Sequence, residues 1–188
     1  MRVPLRDWIG NGKIYGWVRY ARMAWRRWWH GWHHVDPLAW VHASADIRPD
    51  LVAGPYAFVS FGCLIMRDVE IGRYSMLAPR VAIIGVDHAY DIPGTPMFFT
   101  PRPSPRSTVI EDDVWIGFGT VIMQGVHIGR GSDVAARSVV TKDIPPYEIW
   151  AGIPARKIKE RFPDPVDRRT HDNMLNGSLV VPRWPRPL

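Results

Sequence analysis

From Val41 onward an aliphatic or small residue returns at every sixth place: Val41, Ile47, Ala53, Val59, Ile65, Ile71, Leu77 and Ile83, then Ile110, Ile116, Ile122, Ile128, Val134 and Val140. A period of six fits neither an amphipathic helix nor a half-buried strand, and a fixed repeat of short units is the mark of a solenoid. The place four residues after each of these is small or aliphatic too, as at Ala45, Leu51, Ala57, Cys63, Val69, Ser75, Val81, Val114, Thr120, Val126, Ser132 and Ser138. Both positions therefore point inward, and each unit reads as one short strand and a corner. Stacked rungs bury a continuous ladder of Ile and Val and bond their backbones to their neighbours. Glycine follows three of the key aliphatics, at Gly72, Gly117 and Gly129, which predicts corners with positive φ there.

The two runs are out of phase, because Ile83 to Ile110 is a step of 27 residues. Residues 86–108 carry five prolines and read as a loop ejected from the prism. A loop of that length in a compact domain points to function. The chain divides into a segment 1–38, a β-helix 39–144 and a C-terminal part 145–188. In that last part Pro154 is placed to start a short helix carrying Arg156, Lys157, Lys159 and Arg161. The stretch from 163 is expected to cross a neighbour or to be mobile.

Charge changes the picture at one end. Residues 1–34 hold seven Lys or Arg against Asp7, a net +6, while the other 154 residues hold 17 of each sign. The same segment carries six of the ten tryptophans. On a helix Trp17, Ala21, Trp25, Trp28 and Trp32 share a face, with Arg19, Arg22, Arg26 and Arg27 largely off it. Such a helix fits a membrane surface, and it fits equally a cap on the solenoid's open end. Four arginines exclude a spanning helix, no signal-type apolar run follows Met1, and the expected location is cytoplasmic. Nucleic acid is not expected as a partner, since no basic stripe or recognised module accompanies the arm. The single cysteine, Cys63, falls on an inward position and reads as a buried small hydrophobe, not a nucleophile.

The stretches Asp113-Val-Trp-Ile-Gly117, Gly125-Val-His-Ile-Gly129, Val139-Val-Thr-Lys-Asp-Ile-Pro-Pro-Tyr147 and Ala151-Gly-Ile-Pro-Ala155 resemble the hexapeptide-repeat acyltransferases. The O-acetyltransferases of bacterial surface-polysaccharide and lipopolysaccharide synthesis look most similar; galactoside, maltose and streptogramin acetyltransferases are more distant. The resemblance covers about residues 41–162. It implies an all-β fold, a left-handed parallel β-helix with an N-terminal amphipathic helix and a short C-terminal one. It further implies a homotrimer with active sites between subunits, and acetyl-CoA as co-substrate with no metal.

Carried over residue by residue, the resemblance makes His88 the general base, in Ile84-Gly-Val-Asp-His-Ala-Tyr-Asp91 at the start of the loop. An imidazole with an ordinary pKa of ~6.5 takes a hydroxyl proton at neutral pH, as a carboxylate does poorly. The hydroxyl then attacks the thioester directly. Asp87, Asp91 or a backbone carbonyl would orient the ring's other nitrogen. Trp115 is implied beside the acyl group, with the backbone amides after it, at Gly117 and Phe118, near the thioester oxygen. Ala136 would line the pantetheine groove, and Thr141, Lys142, Arg156 and Lys159 would meet the phosphates, with Lys157 as an addition. Where sugar acetyltransferases carry an acceptor-binding asparagine, this chain has Ser60, or Phe58 without a gap; Asp91 is a second acceptor candidate.

The expected acceptor is a saccharide hydroxyl, with a lipid-linked sugar favoured by the Trp-rich arm. The alternatives are a xenobiotic acetyltransferase, whose family shares the Ser75-Met76 pair, and a non-catalytic trimeric scaffold. A zinc enzyme on the same β-helix would need converging histidines, and only His42, His88 and His127 lie in the repeat region.

Overall fold

The computed structural model describes residues 13–85, 88–102, 104 and 106–180, with the backbone alone for 13–17 and 19. Fourteen short strands, β1 (Trp40–Val41) to β14 (Val139–Val140), follow the six-residue period and fall in turn on three parallel sheets. The sheets run β1-β4 (Phe58–Val59)-β7 (Met76–Leu77)-β10 (Trp115–Ile116)-β13 (Asp133–Val134)-β15 (Glu148–Gly152)-β16 (Ala155–Glu160), β14-β11 (Val121–Met123)-β8 (Ala82–Ile84)-β5 (Leu64–Ile65)-β2 (Asp46–Ile47) and β12 (His127–Ile128)-β9 (Thr108–Ile110)-β6 (Val69–Ile71)-β3 (Val52–Ala53). Partners lie 18 residues apart, as in Trp40↔Phe58, Leu64↔Ala82 and Trp115↔Asp133. Three hexads therefore make one coil. Across the loop the spacing becomes 39 residues, as in Ile71↔Ile110, Met76↔Trp115 and Ala82↔Val121, with strand direction and facing unchanged. The loop is thus an excursion at a corner between β8 (Ala82–Ile84) and β9 (Thr108–Ile110), and the prism continues through it.

The inward positions form the core. Ile65, Leu77, Ile83, Ile116, Ile122, Ile128, Val134 and Val140 are fully buried. The small polar inward residues close on the backbone of the next coil: Thr120 donates to the Ala135 carbonyl at 3.1 Å and Ser132 to that of Pro145 at 2.8 Å. Cys63 is buried as expected, its Sγ 3.3 Å from the Ala78 carbonyl, and burial pushes its thiol pKa up.

The corner glycines act differently from the expectation. Gly72, Gly117 and Gly129 do not have positive φ; that conformation falls two residues later, at Tyr74, Gly119 and Gly131. What excludes a side chain is the coil beneath. A Cβ on Gly117 would lie 2.4 Å from the Ala136 nitrogen, and one on Gly72 2.5 Å from the Glu111 carbonyl carbon.

Helix α1 (Lys13–His30) ends at Gly31, whose φ of 68° lets the Trp32 amide reach the Arg27 carbonyl at 2.9 Å. The chain then bridges Val35 to Ala53 and enters the first coil. The face that α1 buries is not the tryptophan face. Met23 and Arg26 turn inward, Trp32 packs beside them after the helix, and Trp25, Trp28 and Trp29 are exposed; the side chains of Trp17 and Arg19 lie outside the described residues. The reason is the open end of the prism, where carbonyls of the first coil lack a coil above. The Arg26 guanidinium donates to the carbonyls of Val41 and His42 and lies 5.2 Å from the Trp32 ring.

At the other end the expected helix from Pro154 is a hairpin. Strands β15 (Glu148–Gly152) and β16 (Ala155–Glu160) pair antiparallel at the edge of the seven-stranded sheet. The helix-prone Ala155–Glu160 run is drawn into a strand because β15 would otherwise present an unpaired edge. Residues 163–180 fold back on their own subunit. Helix α2 (Pro165–Asn176), N-capped by the Asp164 side chain at 2.7 Å from the Val166 nitrogen, buries Leu175 and returns along the coils. There the Tyr147 hydroxyl donates to Asp172 at 2.5 Å, and Arg73 reaches the Gly177 carbonyl at 3.3 Å.

Replacing Gly117 with alanine should lower the unfolding free energy by at least about 2 kcal/mol, because backbone rather than a movable side chain blocks the Cβ. Denaturant unfolding of the variant beside the wild type checks this.

Candidate active site

His88 lies just inside the ejected loop, and the loop is folded around it. Thr100 is the anchor: it is buried, and its hydroxyl lies 2.6 Å from the Ala89 carbonyl and 2.7 Å from that of Met97. The Ala89 amide donates to Pro101 at 2.9 Å, which ties the two limbs of the loop together. The Thr100 carbonyl is then 2.9 Å from His88 Nδ1, and Arg102 Nε is 3.2 Å from His88 Nε2. A carbonyl only accepts and a guanidinium only donates. Both contacts therefore assign the same tautomer: a neutral ring with its proton on Nδ1 and an Nε2 lone pair that accepts from Arg102. The Phe98 ring stacks on the imidazole with centroids 6.4 Å apart.

Of the three candidate orienting groups, the backbone carbonyl is the one in contact. Asp91 is exposed and makes no hydrogen bond to His88 among the described residues, and Asp87 lies outside them. Ser60 is largely covered, its amide bonded to the Leu77 carbonyl at 3.1 Å, with no hydrogen bond to His88.

The second half of the site is an outward row on the seven-stranded sheet. Met76, Trp115, Asp133, Ile149 and Lys159 are consecutive partners across β7, β10, β13, β15 and β16. Trp115 is 53% exposed, and a pocket beside it is lined by Met76, Asp113, Val114, Trp115, Asp133 and Arg161. Arg161 and His171 each hold Asp113 at 2.8 Å. Burial pushes the Asp133 carboxyl above the usual range, with the Arg161 charge opposing. Three strand spacings, about 14 Å, separate Trp115 from Lys159.

The two amides after Trp115 differ. Gly117 N–H is committed to the Val134 carbonyl at 2.7 Å, so it holds the coils together and is not free for an oxyanion. Phe118 N–H has no partner among the described residues, and its ring lies between the guanidiniums of Arg80 and Arg137 at 5.8 and 5.4 Å. Ala136, Thr141 and Lys142 are exposed. Among the described residues Lys142 and Lys159 have no ion-pair partner, and Arg156 bonds to the Ala155 carbonyl at 2.8 Å. Lys157 differs from these two lysines, since its ammonium is held by Glu148 at 2.7 Å and by Glu160.

The three repeat-region histidines do not converge. His42 bonds to Ser44 at 3.0 Å and His127 to Glu111 at 2.8 Å, and among the described residues no group of three His, Cys, Asp or Glu could hold a metal ion.

Comparison with known proteins follows the same lines. The model of the bacterial transferase hexapeptide, six repeats, matches residues 107–142. A chloramphenicol acetyltransferase from Klebsiella aerogenes is 42% identical over 148 residues, 72% of this chain and 63% of that protein. A solved hexapeptide-repeat acetyltransferase from Vibrio cholerae superimposes with a TM-score of 0.63 at 28% identity, over 77% of this chain and 81% of the other. The chain belongs to the hexapeptide-repeat family. Its prism is accordingly the left-handed parallel β-helix, as the resemblance implied. A maltose O-acetyltransferase from Clostridium difficile is a further structural neighbour of this family member, with a TM-score of 0.59 and 33% identity over 64% of this chain and 65% of the other. A probable macrolide acetyltransferase from Lysinibacillus sphaericus is 40% identical over 109 residues, 50% of this chain and 61% of that protein. The chain thus spans less than two thirds of the length of these curated relatives.

Thr100→Val should misplace His88, because it leaves two carbonyls short of a buried donor at a cost of ~1–3 kcal/mol in the loop, whereas Thr100→Ser should retain most of the activity. Steady-state kinetics check this: a fall in kcat for the valine variant that the serine variant largely restores is the expected pattern.

Proposed function

We propose that this protein transfers the acetyl group of acetyl-CoA to an acceptor hydroxyl, with His88 as general base. The observation that carries the reading is the tautomer fixed at His88. Nδ1–H is spent on the Thr100 carbonyl, and Nε2 carries the lone pair, which accepts from the Arg102 Nε–H in this structure. An acceptor hydroxyl in the place of the Arg102 N–H would meet that lone pair. Its oxygen then bonds to the thioester carbonyl carbon while its proton passes to Nε2. The C–S bond breaks as the tetrahedral intermediate collapses, and the proton goes on to the departing coenzyme A sulfur. No acyl-enzyme forms.

The Phe118 amide, without a partner among the described residues and three residues from exposed Trp115, is the donor offered to the oxyanion. Lys142, Lys159 and Arg156 supply cations for the phosphates, and the shared outward row of Trp115 and Lys159 supports one extended site from acyl group to phosphate. The family's homotrimer, with sites between subunits, completes the proposal. Loop side chains such as Phe98, 81% exposed, and Tyr90 are free to meet a neighbour or an acceptor. A cytoplasmic setting, where acetyl-CoA is made, goes with it.

A saccharide is the proposed acceptor, with a place in surface-polysaccharide or lipopolysaccharide synthesis, and the likeness to a maltose O-acetyltransferase supports that class. One observation favours a xenobiotic acceptor instead: the 42% identity to a chloramphenicol acetyltransferase. The shared Ser75-Met76 pair does not discriminate. Ser75 is buried, accepts from the Val114 amide at 3.0 Å and donates to the Glu111 carbonyl, so its role is in the coil.

Release of coenzyme A thiol, followed over a panel of glycans, chloramphenicol and macrolides, tests the proposal. His88→Ala should lower kcat by roughly 10²–10⁴-fold while acetyl-CoA still binds. Unchanged kcat would remove His88 as the base, and turnover confined to chloramphenicol or a macrolide would replace the saccharide reading.

A further inference from the structure

The geometry points to α1 as a device that docks the first-coil end of the prism onto an anionic lipid bilayer. The helix has two faces with separate duties. Met23 and Arg26 close the prism, while Val18, Ala21, Trp25 and Trp28, spaced three or four apart, form with Trp29 an exposed stripe on the far side. Trp25 and Trp29 stack with centroids 5.8 Å apart, and Trp28, 76% exposed, adjoins Trp29 at 6.3 Å. Three adjacent exposed indoles are an unusual solvent surface, because each buries a large apolar area only against a partner.

Charge selects the partner. In sequence the segment 1–34, which includes α1, carries a net +6 while the rest of the chain is neutral, so the excess attraction to anions belongs to that segment. Tryptophan prefers the level of lipid headgroups, and a basic helix with an aromatic face lies in the plane of an anionic interface. A second copy seated on the same stripe would bring two +6 segments together, which opposes that pairing. Among the described residues no helix is long and apolar enough to cross a membrane, so α1 lies along the surface. The Schellman-type end at Gly31 and the Val35–Ala53 bridge fix the helix to the first coil, so docking also sets the prism's orientation. The His88 loop leaves the third coil, about 10 Å further along the axis. Docking does not depend on the acetyl-transfer proposal.

The test uses the full chain in sedimentation with vesicles of phosphatidylcholine alone and of phosphatidylcholine with phosphatidylglycerol. Binding should require the anionic lipid, weaken as salt rises from about 0.05 M to about 0.5 M, and shift tryptophan emission to the blue. A variant with Trp25→Ser, Trp28→Ser and Trp29→Ser should partition at least roughly tenfold less, with unchanged elution volume and acetyl-CoA binding. Should that variant fail to fold, quenching of wild-type tryptophan emission by brominated anionic lipid reads the same contact. Absence of wild-type binding and quenching, or equal sedimentation of the folded triple variant, would overturn the inference. So would a change of oligomer size in the variant without vesicle binding by the wild type, which would assign the stripe to a second copy. Loss of acetyl-CoA binding with vesicle binding intact would count against the acetyl-transfer proposal alone.

Discussion

The 18-residue register between coils is the constraint on which everything else rests. Each inward Ile or Val sits on the equivalent residue of the coil beneath, and each outward residue is aligned with its neighbours by the same step. A one-residue slip would turn the core face outward, so burial of rows such as Leu77, Ile116 and Val134 pins the register strongly. The outward row that holds Trp115 and Lys159 is the other side of that alignment. Gly117 shows how tightly the two are coupled, since its missing side chain lets the Ala136 backbone approach directly below the residue that follows Trp115's strand.

The open ends of such a prism need covering, and here the covers differ in chemistry. At the first coil the solution is a buried guanidinium, Arg26, spread over carbonyls that have no coil above them, with burial and the neighbouring Arg22 lowering its pKa. At the last coil an antiparallel hairpin closes the seven-stranded sheet, and α2 lays a polar network along the corner. Its members are Tyr147, Asp172, His171, Asp113 and Arg161. Burial and the Asp172 contact push the Tyr147 phenol well above its ordinary pKa, which keeps it a donor at physiological pH. The pocket beside Trp115 borrows two residues of this network, Asp113 and Arg161, so closure of the end also shapes the site.

The prism was legible in the sequence because a six-residue period has one structural solution, and the break between Ile83 and Ile110 located the loop. Three features were not, each because tertiary demand overrode local preference. Ala155–Glu160 has helix-forming residues, yet β15 needed an edge partner. The face by which α1 caps the prism was not legible either, since Met23 and Arg26 rather than the tryptophans turn inward, where the open coil needs hydrogen-bond donors. Corner glycines suggested positive φ, yet the residue that adopts it comes two places later and is Tyr74 in one of those corners. His88 stood out only through the family resemblance, since one histidine in a loop carries no signal of its own. Its partners, the Thr100 carbonyl and Arg102, are 12 and 14 residues away and meet it through the loop's fold alone.

Acetyl transfer requires that the cations beyond β14 and on β16 receive coenzyme A phosphates, and calorimetric titration with acetyl-CoA tests that most directly. The account predicts saturable binding, weakened about tenfold or more by Lys142→Ala, as expected when a charge-assisted contact worth ~1.5–3 kcal/mol is lost. Absence of binding, or an affinity indifferent to Lys142, would contradict it.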